Sequence, residues 1–567
     1  MSESLPKTAV EFKDWPWSQI EPYFRDLENR PLDANHLSSW MQDWSDLEKL
    51  LDEAYWRLYV ANTLDTTDPQ AEQAYNRFLD EVRPRAKAGA QQLKEKLLAS
   101  GLVVSGFEIA MRNLRAEAAL FREANLPLLS EEKKLGAEYE KVMGTQTVVW
   151  EGRELTLPQL LPVYQDPDRD KRERAWRLAA ERQLADRRAI NELWRKFMQV
   201  RGQLAANSGL SDYRAYRWTE LHRFDYTPED CFQFHAAIEA VVVQAARELY
   251  EKRRRRLGVD SLRPWDLEVD SLGRLPLRPF QTIDELVEKG GKIFNQVDLQ
   301  LGTQFETMRQ EDLLDLASRK GKAPGAYCTT FMAAQRPFIF MNAVGIHDDI
   351  LTLVHEGGHA FNAFESRQLP FHAQEPPLEF AEVASMSMEY LSAPYLAAEQ
   401  GGFYSLADAA RARVEHLEVA VRFWPYMAVV DSFQHWVYTH HVAASKPVNC
   451  DEKWSELWER YMPGVDWSGL ELEKITGWQR KPHIHADPLY YVEYGLAQLG
   501  AMQVWRRALQ DQESAVAAYR RALALGGSAT IPDLYVAAGV KFAFDAGTLE
   551  KAVDLAMRTI ETLEAGS

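Results

Sequence analysis

The sequence predicts a mainly α protein with a small β component. Across most of its 567 residues, Leu, Ala, Trp and Tyr recur three or four positions apart among Glu, Lys, Arg and Gln. This spacing is the period of an amphipathic helix. Strand-like stretches are short and occur in only two regions. The longest predicted helical segments are 37–99, 168–208, 228–257, 406–444 and 530–564.

The two strand-like regions are read as hairpins. Residues 148–157 are predicted to turn at Glu151-Gly152. Residues 326–332 and 337–341 form the second pair of β-rich stretches. This second pair comes directly before the motif described below, which predicts a small sheet beside the functional site.

The chain contains no fixed-period repeat and no low-complexity tract, and its Pro- and Gly-containing connections near 158–167 and 257–279 are short. A soft boundary near residues 186–191 is the best division. It predicts an N-terminal helical lobe over residues 1–188 and a catalytic lobe over residues 189–567.

Charge and cysteine content limit the possible partners and compartments. The 66 Lys and Arg against 84 Asp and Glu give a net charge of -18, which repels nucleic acid. No apolar run reaches membrane-spanning length, and the first residues lack the pattern of a signal peptide. The three cysteines, Cys231, Cys328 and Cys450, are too far apart in sequence for a thiolate zinc knuckle. We therefore expect a soluble cytoplasmic protein with no nucleic-acid or membrane partner.

The strongest chemical signal is the sequence His355-Glu356-Gly357-Gly358-His359. Residues four apart on a helix share one face, so both imidazoles can bind a single Zn²⁺, and Glu356 can address a water molecule on the same side. The flanking residues are apolar, which predicts a buried helix. Buried ionisable groups need partners, and a metal ion provides one. We predict one Zn²⁺ per chain, with Glu356 as the general base.

The helix predicted after Pro376-Pro377 supplies the third protein ligand that a catalytic zinc requires. It is almost wholly apolar except for Glu379, Glu382 and Glu389. Small residues flank Glu382 and allow close approach to the motif helix, so Glu382 is favoured as the ligand. Glu379 is a rival that spacing does not exclude. Glu389 is interpreted as a group that orients a ligand histidine, with a buried ion pair as the alternative.

Four ordered motifs carry a resemblance to a known family. They are PFIFMN at 337–342, TLVHEGGHA at 352–360, AEVASM at 381–386, and Pro482-His483 followed by YYVEY at 490–494. These motifs resemble the thimet oligopeptidase and oligoendopeptidase F family of zinc metallopeptidases, closest to its oligoendopeptidase F and Pz-peptidase branch. The resemblance is strong over residues 325–494, whereas the N-terminal third is similar only in its helical character.

The resemblance implies a two-lobed helical ellipsoid with a deep central channel and zinc at the channel floor. It implies Glu382 as the third ligand. It also implies an endopeptidase that cleaves internal bonds of short unstructured oligopeptides, because a narrow channel excludes folded proteins. His483 and the tyrosines Tyr490 and Tyr494 are implied as donors to the oxyanion of the reaction, for which an uncharged phenol is well suited.

Substrate contacts are predicted from the second β-rich region and the tyrosine cluster. Gly325, Ala326 and Tyr327 could present a sheet edge whose backbone pairs with an extended peptide regardless of its sequence. Tyr491 is assigned to substrate binding, with aromatic packing as the alternative. An ordinary buried hairpin is the alternative for the 325–327 segment.

Two other functions stay open. A zinc carboxypeptidase would need a cation for the C-terminal carboxylate of its substrate, and Arg480 and Lys481 are candidates. A peptide-binding protein without catalysis would keep the channel but lose a ligand or Glu356, and all of these residues are present. His485 stands where relatives often carry an aromatic residue, so the sequence leaves its role undetermined.

Overall fold

The computed structural model describes residues 5–102 and 106–566. Helices account for 71% of the structure and the sheets are small, which confirms the predicted mainly α class. The helices are α1 Ala9–Phe12, α2 Trp17–Asn29, α3 Leu37–Leu64, α4 Pro69–Arg77, α5 Arg83–Ser100, α6 Glu108–Leu120, α7 Leu126–Gly144, α8 Leu157–Leu160, α9 Arg169–Ala185, α10 Arg187–Asn207, α11 Tyr213–Glu220, α12 Pro228–Leu257, α13 Ile283–Val297, α14 Leu299–Gln310, α15 His347–Ser366, α16 Leu378–Ser392, α17 Leu406–Thr439, α18 His441–Ala444, α19 Pro447–Tyr461, α20 Glu471–Ile475, α21 Pro482–His485, α22 Val492–Ala508, α23 Gln512–Leu523, α24 Ile531–Ala537 and α25 Ala546–Ala565. The strands are β1 Thr147–Trp150, β2 Arg153–Thr156, β3 Leu314–Ala317, β4 Tyr327–Phe331 and β5 Arg336–Ala343.

The predicted helical segments are found, and the longest ones are interrupted where local chemistry requires it. Helix α12 has the predicted bounds and starts with a Thr227 side chain that accepts the Asp230 N–H. The segment 37–99 is divided instead. Asp68 caps a new helix whose first residue is Pro69, and a π-helical turn at Phe78–Val82 joins α4 to α5.

The two hairpins are also found, with one strand that the sequence pattern did not indicate. Strands β1 and β2 pair antiparallel, and Glu151 and Gly152 form the turn with φ of 48° and 79°. Strand β5 pairs antiparallel with β4 and parallel with the additional strand β3. The sheet order β3-β5-β4 leaves β4 at an edge.

The interior is divided between two main cores. One is built from apolar side chains of residues 9–114, and a much larger one extends through the rest of the chain and includes Leu135 and Tyr139 of α7. A cavity of about 510 Å³ lies between α3, α5 and α6 and the segment 371–375 that leads into α16. The lobe boundary at residue 188 stays a prediction. Within residues 5–102 and 106–566, no helix combines the length and apolar character needed to cross a membrane.

Strand β5 leads directly into α15, and one carboxylate fixes the start of this helix. The backbone N–H groups of Val344, Gly345 and Ile346 donate to Asp349 Oδ2 over 2.9, 2.6 and 2.9 Å. A side chain in the first turn thus satisfies the N–H of the N-cap residue Ile346 and the two N–H groups that precede it. The position of the His355 to His359 motif relative to the sheet is fixed by this connection.

Helices α15 and α16 pack closely because residue 358 has no side chain. A Cβ at Gly358 would lie 2.5 Å from Ser385 Cα and 2.6 Å from Ala384 O. Ala384 and Ser385, two of the small residues near Glu382, thus form a backbone-to-backbone contact with α15. It brings Glu382 of α16 against the motif face of α15.

Gly358→Ala tests this contact. The added methyl group must push α16 away from α15, so we expect a loss of about 1–3 kcal/mol in the free energy of unfolding and weaker metal binding. Urea unfolding and metal titration measure the two effects. Gly136→Ala in α7, where a Cβ would meet only Ala486 Cβ at 4.0 Å, is the matched control. Equal stability of the two variants would show that the approach is not tight.

Candidate metal centre

The predicted ligands converge on one point between α15 and α16. His355 Nε2 lies 3.2 Å from Glu382 Oε2, and His359 Nε2 lies 3.5 Å from the same oxygen. The ligand atoms of all three residues lie within 4.8 Å of one another. Two ligands about 2.0–2.2 Å from a tetrahedral Zn²⁺ are separated by about 3.4 Å. The spacing and the donor set therefore fit zinc.

The electrostatics of the cluster favour a cation at its centre. Burial lowers the pKa of His355, but hydrogen bonds to Glu382 and Glu389 outweigh burial and hold this pKa well above its usual value. Burial raises the pKa of Glu382, yet the adjacent His359 and His355 hold it well below its usual value. Two carboxylates thus require positive charge around His355, which either a proton or a metal ion can supply.

Glu389 bridges two histidines behind the cluster. His355 Nδ1 donates to Glu389 Oε1 over 2.8 Å, and His416 Nε2 of α17 donates to Glu389 Oε2 over 2.8 Å. Burial raises the pKa of Glu389, but these two hydrogen bonds lower it to about 2. His355 is left with Nε2 facing Glu382. The structure thus puts Glu389 where an orienting group was predicted, whereas His416 was missed.

Glu356 is buried beside the ligands, and its Oε2 atom accepts no hydrogen bond from any residue that the structure describes. Burial raises the pKa of this carboxyl, against the lowering effect of His355 and His359. Burial and, to a lesser extent, the charge of Glu356 hold the pKa of Cys328 in β4 well above its usual value, and β4 packs against α15. An unpaired buried carboxylate next to a metal cluster is the arrangement expected of a general base.

Glu379, the rival ligand, points into a different polar cluster. The Tyr226 hydroxyl donates to Glu379 Oε1 over 2.6 Å, and Arg223 Nε lies 3.4 Å from the same oxygen. Arg223 also binds Glu493 over 2.5 Å. The carboxylate of Glu379 is therefore engaged by a buried arginine, and Glu382 alone of the two belongs to the histidine cluster.

The predicted oxyanion donors lie next to the ligands, although not on one helix face. Tyr490 belongs to the turn before α22, where Leu489 has a φ of 62°. Its hydroxyl donates to Glu382 Oε1 over 2.5 Å. Tyr494 hydroxyl lies 3.0 Å from His483 Nε2, and burial lowers the pKa of His483 to about 4. His483 is therefore neutral at pH 7.

Three further residues of this region, Tyr491, Lys481 and Arg480, differ in the contacts that they make with the rest of the protein. Tyr491 is buried and packs against Phe423 and Tyr426. Lys481 Nζ lies 4.4 Å from the centre of the Tyr491 ring and has no carboxylate partner within the described parts of the chain. Arg480, in contrast, donates to Glu473 O over 2.8 Å.

The segment 325–327 begins the edge strand β4. Gly325 is exposed and has a φ of 89°, and Asn342 Nδ2 donates to its carbonyl over 2.9 Å. Ala326 is half-buried, and the Tyr327 hydroxyl lies 2.6 Å from Thr63 Oγ1 of α3. This segment therefore links the sheet beside α15 to the N-terminal core.

His485 has a packing role. Its ring stacks on Tyr139 with a centroid distance of 4.3 Å and lies parallel to Trp478 at 5.8 Å. It is fully buried and belongs to neither group of potential ligands found in residues 5–102 and 106–566. It thus serves as an aromatic ring in the core, with burial lowering its pKa.

A helical fold whose two histidines and one glutamate meet beside a buried, unpaired glutamate is that of a metallopeptidase. Comparison with known proteins agrees. The model of peptidase family M3 matches residues 163–554, and that of the peptidase M3 N-terminal domain matches residues 8–104. The chain belongs to peptidase family M3.

Individual relatives are more distant in sequence than in structure. Oligopeptidase PepF of Bacillus subtilis (strain 168) is 26% identical over 253 residues, which are 42% of this chain and 36% of that protein. Pz peptidase A, solved with an inhibitor, superposes with a TM-score of 0.90 at 28% identity, covering 99% of this chain and 98% of that one. A putative oligoendopeptidase F gives a TM-score of 0.91 at 28% identity, covering 98% of each chain. The resemblance found in the sequence is thereby confirmed.

Glu389→Gln tests the bridge behind the ligands. A glutamine amide cannot accept from both His355 and His416, so one imidazole loses its acceptor and His355 is less firmly oriented. We expect metal affinity to fall about 10–100-fold, as measured by competition with a chelating dye. Glu399→Gln, at an exposed site, is the control. Unchanged affinity in Glu389→Gln would contradict the orienting role.

Proposed function

We propose that the chain is a zinc-dependent endopeptidase that hydrolyses internal bonds of short, unstructured oligopeptides, with Glu356 as general base. The observation that carries the proposal is the buried, unpaired Glu356 carboxylate beside His355, His359 and Glu382. Zinc held by these three residues would acidify a water molecule and polarise the scissile carbonyl.

The chain's own residues would perform the remaining steps. Glu356 Oε2 has no competing donor, so it is free to accept the proton of the attacking water and pass it to the leaving nitrogen. Neutral His483 would donate its Nε2–H to the Tyr494 oxygen, which leaves the Tyr494 O–H free to donate to the oxyanion. The Tyr490 hydroxyl, held by Glu382, would steady this ligand until a substrate oxygen competes for it.

The burial of the proposed catalytic side chains limits the size of the substrate. The side chains of His355 and His359 are 19% and 20% exposed, and Glu356 is 5% exposed. A folded protein surface cannot bring a peptide bond to such recessed atoms, whereas an extended oligopeptide can. Short peptides are therefore the substrate class we assign, by analogy with the oligopeptidase and oligoendopeptidase relatives.

The edge strand β4 provides a means of holding such a peptide. No other described strand pairs with its outer side, and α15 packs against it. Backbone pairing with residues 325–331 would align a peptide beside the metal ligands and would tolerate many side chains. Tyr491 would help to hold the peptide by packing at the other side of the site.

Glu356→Gln tests the general base. We expect kcat to fall about 10²–10⁴-fold with metal content unchanged, because Glu356 lies outside the ligand set. The assay is cleavage of an internally quenched peptide blocked at both ends, with products identified by mass spectrometry. Glu365→Gln, on the same helix but away from the cluster, is the control. Cleavage that persists in Glu356→Gln would rule out the proposed base, and a wild-type chain that binds zinc without cleaving would indicate a peptide-binding protein.

A zinc carboxypeptidase is the second candidate, and the unpaired Lys481 favours it. Burial lowers the pKa of Lys481 to about 8, so the ammonium is charged below that pH and neutral above it. If Lys481 holds a C-terminal carboxylate, KM for free-acid peptides will rise as the pH passes about 8, while KM for amidated peptides will not. Lys481→Met should remove this difference in KM between free-acid and amidated peptides. Equal KM values for both peptides at every pH would exclude Lys481 as a carboxylate clamp.

A further inference from the structure

A second group of metal-binding side chains lies between α12 and α17, apart from the catalytic cluster. Cys231 and His235 are one turn apart on α12, and Asp431 and His435 are one turn apart on α17. Helical spacing of four places each pair on one face, and the packing of the two helices brings the faces together. All four side chains are buried, with at most 3% of each residue exposed.

Three of these residues have the geometry of a metal site. The ligand atoms of Cys231, Asp431 and His435 lie within 4.8 Å of one another. His435 Nε2 lies 3.3 Å from Asp431 Oδ2, between the 3.2 and 3.5 Å found for the two histidines and Glu382 at the catalytic cluster. The same ligand spacing thus occurs twice in the protein.

The polar atoms of this second group are incompletely satisfied by the protein. Asp431 Oδ1 and His435 Nε2 are both buried and make no hydrogen bond within the described chain. Buried polar atoms without a partner cost free energy, and a cation bound to His435 Nε2 and to both carboxylate oxygens of Asp431 would remove that cost. His235 supports the carboxylate from behind: its Nε2 donates to Asp431 Oδ2 over 2.8 Å, and its Nδ1 lies 3.0 Å from Ser432 Oγ.

We propose that Cys231, Asp431 and His435 form a second, structural metal site that takes Zn²⁺ or a similar borderline-soft divalent ion. A thiolate, an imidazole and a carboxylate are ligands of this class of metal. Binding forms a sulfur-metal bond and releases the thiol proton of Cys231 to solvent. The thiolate and the Asp431 carboxylate together balance the charge of the ion, so no net charge is buried.

Access and the fourth ligand come from a neighbouring cavity. A cavity of about 360 Å³ is lined by His435, His235 and Arg214 but not by Cys231 or Asp431, so the ion and a water ligand would enter past His435. Arg214 Nη1 lies 3.3 Å from His435 Nδ1. Metal binding at Nε2 requires a proton on Nδ1, so Arg214 must turn into this cavity. Arg214→Gln, whose amide oxygen can accept from Nδ1, should therefore bind the metal more tightly than the wild type.

The site would join α12 to the helix that supports the catalytic cluster, since α17 also carries His416, the partner of Glu389. The sequence contains the signal for it. Cys231 and His235 are four apart, as are Asp431 and His435.

Cobalt binding by the full-length protein tests the proposal. The ligands at the catalytic cluster contain no sulfur, so a thiolate-to-cobalt charge-transfer band in the near ultraviolet reports the second site alone. We expect the wild type to bind two cobalt ions per chain and to show the band. Cys231→Ser should lose the band and one ion, while His359→Ala should lose one ion and keep the band.

Two control variants exclude other thiols. Cys328→Ser, next to Glu356, and Cys450→Ser, buried in α19, should both keep the band and both ions. A wild type that binds a single cobalt ion without the band would overturn the proposal, as would a band that survives in Cys231→Ser. Because the band does not depend on peptide cleavage, its absence is distinguishable from a failure of the proposed endopeptidase function.

Discussion

The close approach of α15 and α16 is the contact on which the rest of the site depends. The missing side chain at Gly358 lets the two backbones meet, and this contact places Glu382 opposite the two histidines. Ligands from two helices can share a metal only if the helices are held at a fixed separation. The anchoring of α15 by Asp349 and the packing of α16 against α22 hold this separation from both sides.

Buried charge imposes the second constraint on this region. Removing an ionised group from water is costly unless it is paired. Glu389 accepts hydrogen bonds from two histidines, and Glu379 is paired with the buried Arg223. Glu356 differs from both, since its Oε2 atom is buried and accepts no hydrogen bond from a described residue. In the proposed mechanism, this oxygen is the one that accepts the proton of the attacking water.

Much of the site could be predicted from the sequence because it depends on the spacing and size of residues that are close together in the chain. Helical spacing places His355 and His359 on one face, and the small residues around Glu382 indicate close packing. The sequence favours Glu382 over Glu379 without excluding Glu379, because the contacts that separate the two depend on where Arg223 and Tyr226 lie. His416 carries no local signal, because its contact with Glu389 arises only from the packing of α17. The same reason applies to β3, a short strand whose parallel partner β5 follows β4 in the sequence. The role of His485 likewise depends on the rings that surround it.

The most direct test of the central claim is X-ray diffraction from crystals of the zinc-loaded protein, with the anomalous signal recorded at wavelengths on either side of the zinc absorption edge. We expect a zinc peak bounded by His355 Nε2, His359 Nε2 and a Glu382 carboxylate oxygen, with Glu356 close by but not bound to the metal. A peak coordinated by Glu379, or the absence of zinc between the two histidines, would contradict the account of how α15 and α16 build the site.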